Sequence, residues 1–270
     1  MNALPPVRRP RATGPVRGHR APVRTCTALV AALTLSLAGC SGMPWSSDDK
    51  GAEKVSCGLV VDGSGSGTSD DTGVDVKKKL QETLIPFLDE QHCSSLAYAP
   101  VTASSWNSSC RHSPVDLDPE PRTSTEDREV LRQRARNSAA GASIEMLNCA
   151  REQNGSDVLG ALGRIAQTLR ETQGDDTGGD PAILAVSDFE QTDPEFRISK
   201  EPLSTKAERT KAVDKLLAGR KLPALKGMDL YTVGYGKNPT RKPSTYQGFD
   251  QFWTDILTTR AKAHVHHDDE

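Results

Sequence analysis

An α/β fold, with a mostly parallel central sheet and helices on both faces, is predicted over residues 55–265 by three observations. Short apolar runs alternate with amphipathic runs of helical period, the pattern of strands joined by crossover helices. Several apolar runs are continuous rather than alternating, as in strands buried on both faces. Two of them deliver an aspartate into a loop: Val55-Ser56-Cys57-Gly58-Leu59-Val60-Val61 runs into Asp62, and Pro181-Ala182-Ile183-Leu184-Ala185-Val186 into Ser187-Asp188. Open α/β sheets place their ligands at such carboxyl ends.

After the first strand, Val74, Val76, Leu80, Leu84, Ile85, Phe87 and Leu88 set a crossover helix from Val74 to Gln91. Ser95 to Thr102 reads as the second strand, and Pro100 ends it or keeps it near an edge. A polar, Pro-rich excursion follows at about 104–124 and carries Cys110. Thr125-Glu126-Asp127 supplies a cap and acids for a long helix reaching about Glu152, which Asn154-Gly155 breaks. Helices from Asp157 to Leu169, Lys206 to Leu217 and Phe249 to Ala263 alternate with strands at Pro181–Val186 and Asp229–Tyr235. No clear short antiparallel strand follows the second strand and no convincing sixth strand appears, so the expectation includes a reduced strand count.

The amino end has a different character. Residues 1–24 hold six arginines and no acid, and Thr25 to Gly39 is apolar and small but too short to span a bilayer at roughly 20 residues. Residues 1–39 therefore read as a secretory signal. Leu37-Ala38-Gly39-Cys40 resembles the lipobox of bacterial lipoproteins, which implies cleavage before Cys40, acylation of its thiol and an extracytoplasmic, lipid-anchored location on a bacterial membrane. An ordinary signal peptide with a chance cysteine, or a short uncleaved anchor, is the competing reading. Ser41 to Lys54 would be a short tether, and residues 266–270 a polar tail. Without residues 1–39, 28 basic residues face 36 acidic ones, a charge near −8 that argues against nucleic acid as a partner. Four cysteines remain beyond Cys40, an even set that suggests two disulfides outside the cytoplasm. Three pairings are possible; topology favours Cys57 with Cys93 and Cys110 with Cys149.

Asp62, Ser64 and Ser66 alternate with Gly63 and Gly65, a loop able to turn three oxygens onto one point. Oxygen ligands alone favour Mg²⁺, Mn²⁺ or Ca²⁺ over zinc. Together with Gly155-Ser156-Asp157 and Ser187-Asp188, this loop resembles the von Willebrand factor A domain, a Rossmann-like fold, over about residues 55–236. Matching residue by residue, the resemblance implies a metal-ion-dependent adhesion site of Asp62, Ser64, Ser66, Ser156 and Asp188. Ser156 stands where that family has Thr, and Phe189 follows Asp188 where it usually has Gly. Asn154-Gly155-Ser156-Asp157 with Ala161-Leu162, and the Asp229 to Gly236 strand, are also similar to its segments.

The expected function is that of a membrane-anchored binding module whose divalent ion grips an acidic group on a protein or envelope polymer. A metal-dependent hydrolase using Asp62 and Asp188 is the first alternative, and a structural envelope scaffold with a vestigial site the second. Catalysis is not expected, because no complete set of nucleophile, acid and base is found; Asp70, Asp71 and Asp157 read as first-turn acids favoured by helix dipoles. The nine basic residues and three acids of Arg197 to Lys226 read as a solvated helix face, and His264, His266 and His267 as part of a frayed end.

Overall fold

A strand covered on both sides needs apolar side chains pointing both ways. β1 (Val55–Asp62) supplies them, with Cys57, Leu59 and Val61 turned toward one layer of helices and Val60 toward the other. This computed structural model describes residues 54–64, 74–172, 178–237 and 242–268. All of them lie in the Asp48–Glu270 unit of the chain. Cys40, the signal segment, Ser66, Asp70 and Asp71 fall outside the described residues.

The strands are β1, β2 (Cys93–Val101), β3 (Val115–Asp116), β4 (Ala182–Val186), β5 (Asp229–Val233) and β6 (His264–His267). They form one six-stranded sheet in the order β3-β2-β1-β4-β5-β6. Only the β2–β3 pair is antiparallel. The predicted α/β class is therefore what the chain adopts, but not with a reduced strand count.

Both unexpected strands escape pattern reading for physical reasons. β3 is two residues long and sits inside the polar excursion, paired to Ser95 and Leu96 of β2. β6 is His264-Val265-His266-His267, whose polarity suits an edge. Its histidines are held rather than frayed: the His266 ring lies 2.7 Å from an Asp229 carboxylate oxygen, and His267 Nδ1 lies 2.8 Å from Thr232 Oγ1. His266 and His267 thus belong to the sheet and not to a tail. Pro100 is tolerated inside the sheet because β3 covers β2 only at Ser95 and Leu96, leaving the stretch around Pro100 open on that side.

Helices α1 (Val76–Glu90) and α2 (Arg128–Arg151) cover one face, packing Leu80, Leu84, Met146 and Leu147 against Leu59, Leu96, Leu184 and Val186. The opposite face is covered by α3 (Val158–Thr172), α4 (Lys206–Leu217) and α5 (Pro243–Thr254), which bring Leu162, Ile165, Val213, Phe252 and Trp253 onto Val60, Ile183, Ala185 and Leu230. Each such buried side chain contributes about 1.5–3 kcal/mol, so the two layers dominate stability. Asp127 caps α2 by accepting from the N–H groups of Glu129 and Val130, and Thr205 with Glu208 forms a capping box on α4. Beyond α5 the chain continues as a wider turn over Asp255–Arg260 before entering β6. Among the described residues, no helix is long and apolar enough to cross a membrane.

Both disulfides take the pairings that topology favoured. Cys57 joins Cys93 across neighbouring strands β1 and β2, and Cys110 joins Cys149 near the end of α2. The second bond ties the β2–β3 excursion to the helix layer.

Candidate metal centre

The strand order reverses between β1 and β4, and at that switch point an α/β sheet opens a crevice. Asp62, the last residue of β1, and Asp188, two residues beyond β4, both lie there, 2% and 3% exposed respectively. Ser156, on the loop between α2 and α3, is brought in from elsewhere, and its hydroxyl donates to Asp62 Oδ2 over 3.2 Å. The backbone N–H of Ser64 donates to Asp62 Oδ1 at 2.9 Å. Four of the five predicted ligands, Asp62, Ser64, Ser156 and Asp188, therefore occupy the three loops at this end of the sheet; Ser66 lies outside the described residues.

Close backbone approach explains the loop chemistry. A Cβ on Gly63 would lie 2.5 Å from the carbonyl carbon of Ala150 in α2, so only glycine lets the chain turn directly after Asp62. Ser156 exchanges two backbone hydrogen bonds with Thr192, at 2.6 and 2.7 Å. The next N–H, of Asp157, donates to Thr102 O at 2.7 Å. These bonds pin the Ser156 loop to the end of β2 and to the segment after β4 at once, which fixes its hydroxyl relative to both.

Phe189, in the third loop, has the left-handed backbone that glycine adopts most readily, with φ at +60°. Its ring is fully buried in edge-to-face contact with Tyr235 and Trp253, at centroid distances of 5.1 and 5.4 Å. The Trp253 indole N–H donates to Phe189 O at 3.1 Å. Burial of the ring holds the left-handed backbone that a free chain would avoid. Asp188 Oδ1 accepts the N–H of Glu190 at 3.0 Å, and Asp188 O accepts that of Gly236 at 3.1 Å.

Ser187 joins the site although it is not among the ligands expected from the sequence. Its hydroxyl donates to Asp62 Oδ2 at 2.6 Å and accepts from the N–H of Phe189 at 2.9 Å. The available signal was its place immediately before the aspartate at a strand end. Asp157, by contrast, turns away from Asp62: its carboxylate accepts from Gly160 N at 3.0 Å as the cap of α3 and from Ser105 N at 3.3 Å. This agrees with the reading of Asp157 as a first-turn acid.

Burial pushes the Asp62 carboxyl above its ordinary range, outweighing the hydroxyl of Ser187, the N–H and hydroxyl of Ser64, and the hydroxyl of Ser156. Among the described residues, no basic side chain is hydrogen-bonded or ion-paired to Asp62. A buried carboxylate in that setting is well matched to a hard cation. The donor set fits as well: carboxylates and hydroxyls only, with Ser156 giving its proton to Asp62 and so keeping its lone pairs for a positive charge. No cluster of three or more His, Cys, Asp or Glu side chains suited to a metal occurs among the described residues; this site rests on two carboxylates plus hydroxyls. No known family model matches the chain, and no curated protein matches it.

Proposed function

We propose that this protein is an extracytoplasmic, membrane-anchored binding module that holds a divalent cation, Mg²⁺ or alternatively Mn²⁺ or Ca²⁺, between Asp62 and Asp188 and uses it to grip an acidic group on a protein or polymer. One observation carries this reading. Two buried aspartates lie at or just beyond the carboxyl ends of adjacent parallel strands at the switch point, with Ser156 delivered onto Asp62 by backbone bonds from its loop to Thr102, just after β2, and to Thr192, in the segment after β4. The resemblance to von Willebrand factor A domains and to a lipobox supports it, and two disulfides suit an oxidising compartment.

Within this reading each residue has a defined task. Asp62 and Asp188 supply the negative charge, Ser64 and Ser156 supply neutral oxygens, and Ser187 orients Asp62 through a short hydrogen bond. A bound divalent ion supplies a Lewis acid with a coordination place that an outside carboxylate can take. Binding rather than turnover is the proposed outcome: of the nearby carboxylates weighed as a general base, Asp157 is engaged in capping α3, and Asp70 and Asp71 lie outside the described residues.

The test is calorimetric titration and thermal melting of residues 41–270, which include both core layers, with Mg²⁺, Mn²⁺ and Ca²⁺ against chelator. Metal at a hundredfold over its dissociation constant should add about 2.7 kcal/mol to stability. Asp62→Ala and Asp188→Ala should each abolish the shift. Absence of binding to folded wild-type protein would reject the metal reading in favour of a scaffold.

A further inference from the structure

Trp106 is 41% exposed, although an indole usually buries most of its 150–250 Å². Nothing about its turn is loose. Ser105 Oγ donates to Thr102 O at 3.2 Å and accepts from Thr102 N at 2.9 Å, Ser105 N donates to Asp157 Oδ2 at 3.3 Å, and Arg164 Nη1 donates to Ser105 O at 3.3 Å. The Cys110–Cys149 disulfide anchors the segment just beyond. The indole sits against α3 at Gly163, where a Cβ would come 3.0 Å from Cζ3. Any larger residue would displace the ring.

Two cavities share Trp106, Gly163 and Lys221 in their walls, one of about 490 Å³ and one of about 290 Å³. The larger is of the size that small ligands occupy. Its floor is a rigid polar network. Asp193 accepts from Arg220 at 2.7 and 3.0 Å and from Gln191 Nε2 at 2.6 Å, and Gln191 also donates to Asp157 at 3.1 Å. At the rim, Ser104, Asn107, Glu195 and Lys221 are exposed and offer donors and acceptors in mixture.

This chemistry selects among ligand classes. An anion would meet Asp157, Asp193 and Glu195, while a cation would meet Arg220 and Lys221. An apolar or polyproline segment would want a row of aromatic plates, and the cleft presents one. A pyranose ring satisfies all of it: a C–H face for the indole, a perimeter of hydroxyls for the rim, and no net charge. We propose that the Trp106 cleft binds a neutral pyranose unit of a glycan, with the smaller cavity along α3 giving room to an adjoining unit. The inference goes beyond the metal reading and does not rest on it, since Ser156 points its hydroxyl to Asp62 while the carboxylate of neighbouring Asp157 lines the cleft.

The experiment is calorimetric titration of the full-length protein with maltotriose, cellotriose, mannotriose and chitotriose, with and without chelator. At least one should bind saturably at a single site, with affinity unchanged by chelator. Trp106→Ala should weaken that binding by about tenfold or more, as expected of a central aromatic anchor, whereas Trp106→Phe should keep most of it. Melting curves check that the variants fold, and the rim variant Asn107→Ala, expected to weaken binding severalfold, gives an independent reading should Trp106→Ala not fold. Binding by none of the four saccharides, binding that Trp106→Ala leaves intact, or capture of a proline decamer in their place would each overturn the proposal.

Discussion

Replacing Phe189 by alanine and by glycine separates two opposed effects at the third loop of the candidate site. Its ring is fully buried between Tyr235 and Trp253, so removing it should cost about 3–5 kcal/mol in either variant. The backbone at φ +60° works in the other direction. Alanine keeps a left-handed penalty of about 1–2 kcal/mol, which glycine lacks; glycine loses about 0.5–1 kcal/mol through the greater freedom of its unfolded chain. The balance places Phe189→Gly roughly 1 kcal/mol above Phe189→Ala, reversing the order seen in helices and strands. The comparison is clean because Trp253 bonds the carbonyl of residue 189, which both variants retain. In a domain of this size about 1 kcal/mol moves the melting temperature by about 2–4 °C. Urea denaturation with the disulfides intact measures the same difference as a midpoint. Should the alanine variant exceed the glycine variant in stability, residue 189 would not carry the left-handed backbone penalty on which this reasoning depends.

Three further predictions concern other parts of the framework. Arg220→Ala should destabilise by about 3–5 kcal/mol at pH 7, because it strands the buried Asp193 carboxylate. Burial alone would raise the Asp193 carboxyl, yet Arg220, Gln191 and the N–H of Glu195 hold it below its ordinary range. Its contribution is thus full above the unfolded value near pH 4 and lost as pH falls through the lower folded value, and urea midpoints should show the wild-type advantage shrinking from pH 7 to pH 3. Reducing the disulfides, which close sequence separations of 36 and 39 residues, should cost about 4 kcal/mol each by loop entropy, read from melting with and without reductant. Gly63→Ala should cost about 1–3 kcal/mol through its clash with Ala150 and also remove the Mg²⁺-dependent melting shift; a stable variant that kept the shift would place the metal elsewhere.

Legibility in the sequence followed how each element is stabilised. β1 and β4 were readable because two covered faces demand continuous apolar runs, and α4 fell between the predicted residues because its capping box and apolar stripe agree. The disulfide pairing followed from topology, since Cys57 and Cys93 were expected to open parallel strands at one edge of the sheet and Cys110 and Cys149 to lie near the opposite edge, and these are the pairs that form. β3 and β6 were illegible because their stability is borrowed. Two residues of β3 have no period at all, and β6 is made of a valine among histidines that gain partners only when Asp229 and Thr232 are already in place. The basic stretch from Arg197 to Lys226 was readable as a count but not as a structure. Arg220 and Lys215 prove to be paired with Asp193 and Glu201, so part of that charge is internal to the fold.

The candidate site shows the same division between what neighbours in sequence reveal and what only the fold supplies. Asp62 with Ser64 could be seen in the chain because the loop that joins them is local. Ser187 could not be assigned, although it sits beside Asp188, because its role depends on Asp62, 125 residues away, lying across the β1–β4 pair. Asp157 was the reverse case, a carboxylate next to a candidate ligand that the fold turns into a helix cap. The two adjacent residues Ser156 and Asp157 therefore face different chemistries, one toward buried carboxylates at the switch point and the other toward the Trp106 cleft. A loop clamped by backbone bonds to β2 and to the segment after β4 can keep these two orientations fixed. Rigid placement of that loop links the two proposed sites physically while leaving their ligands independent. Hence a substitution that loosens the clamp should weaken metal and saccharide binding together, whereas loss of Asp62 or of Trp106 should affect one alone.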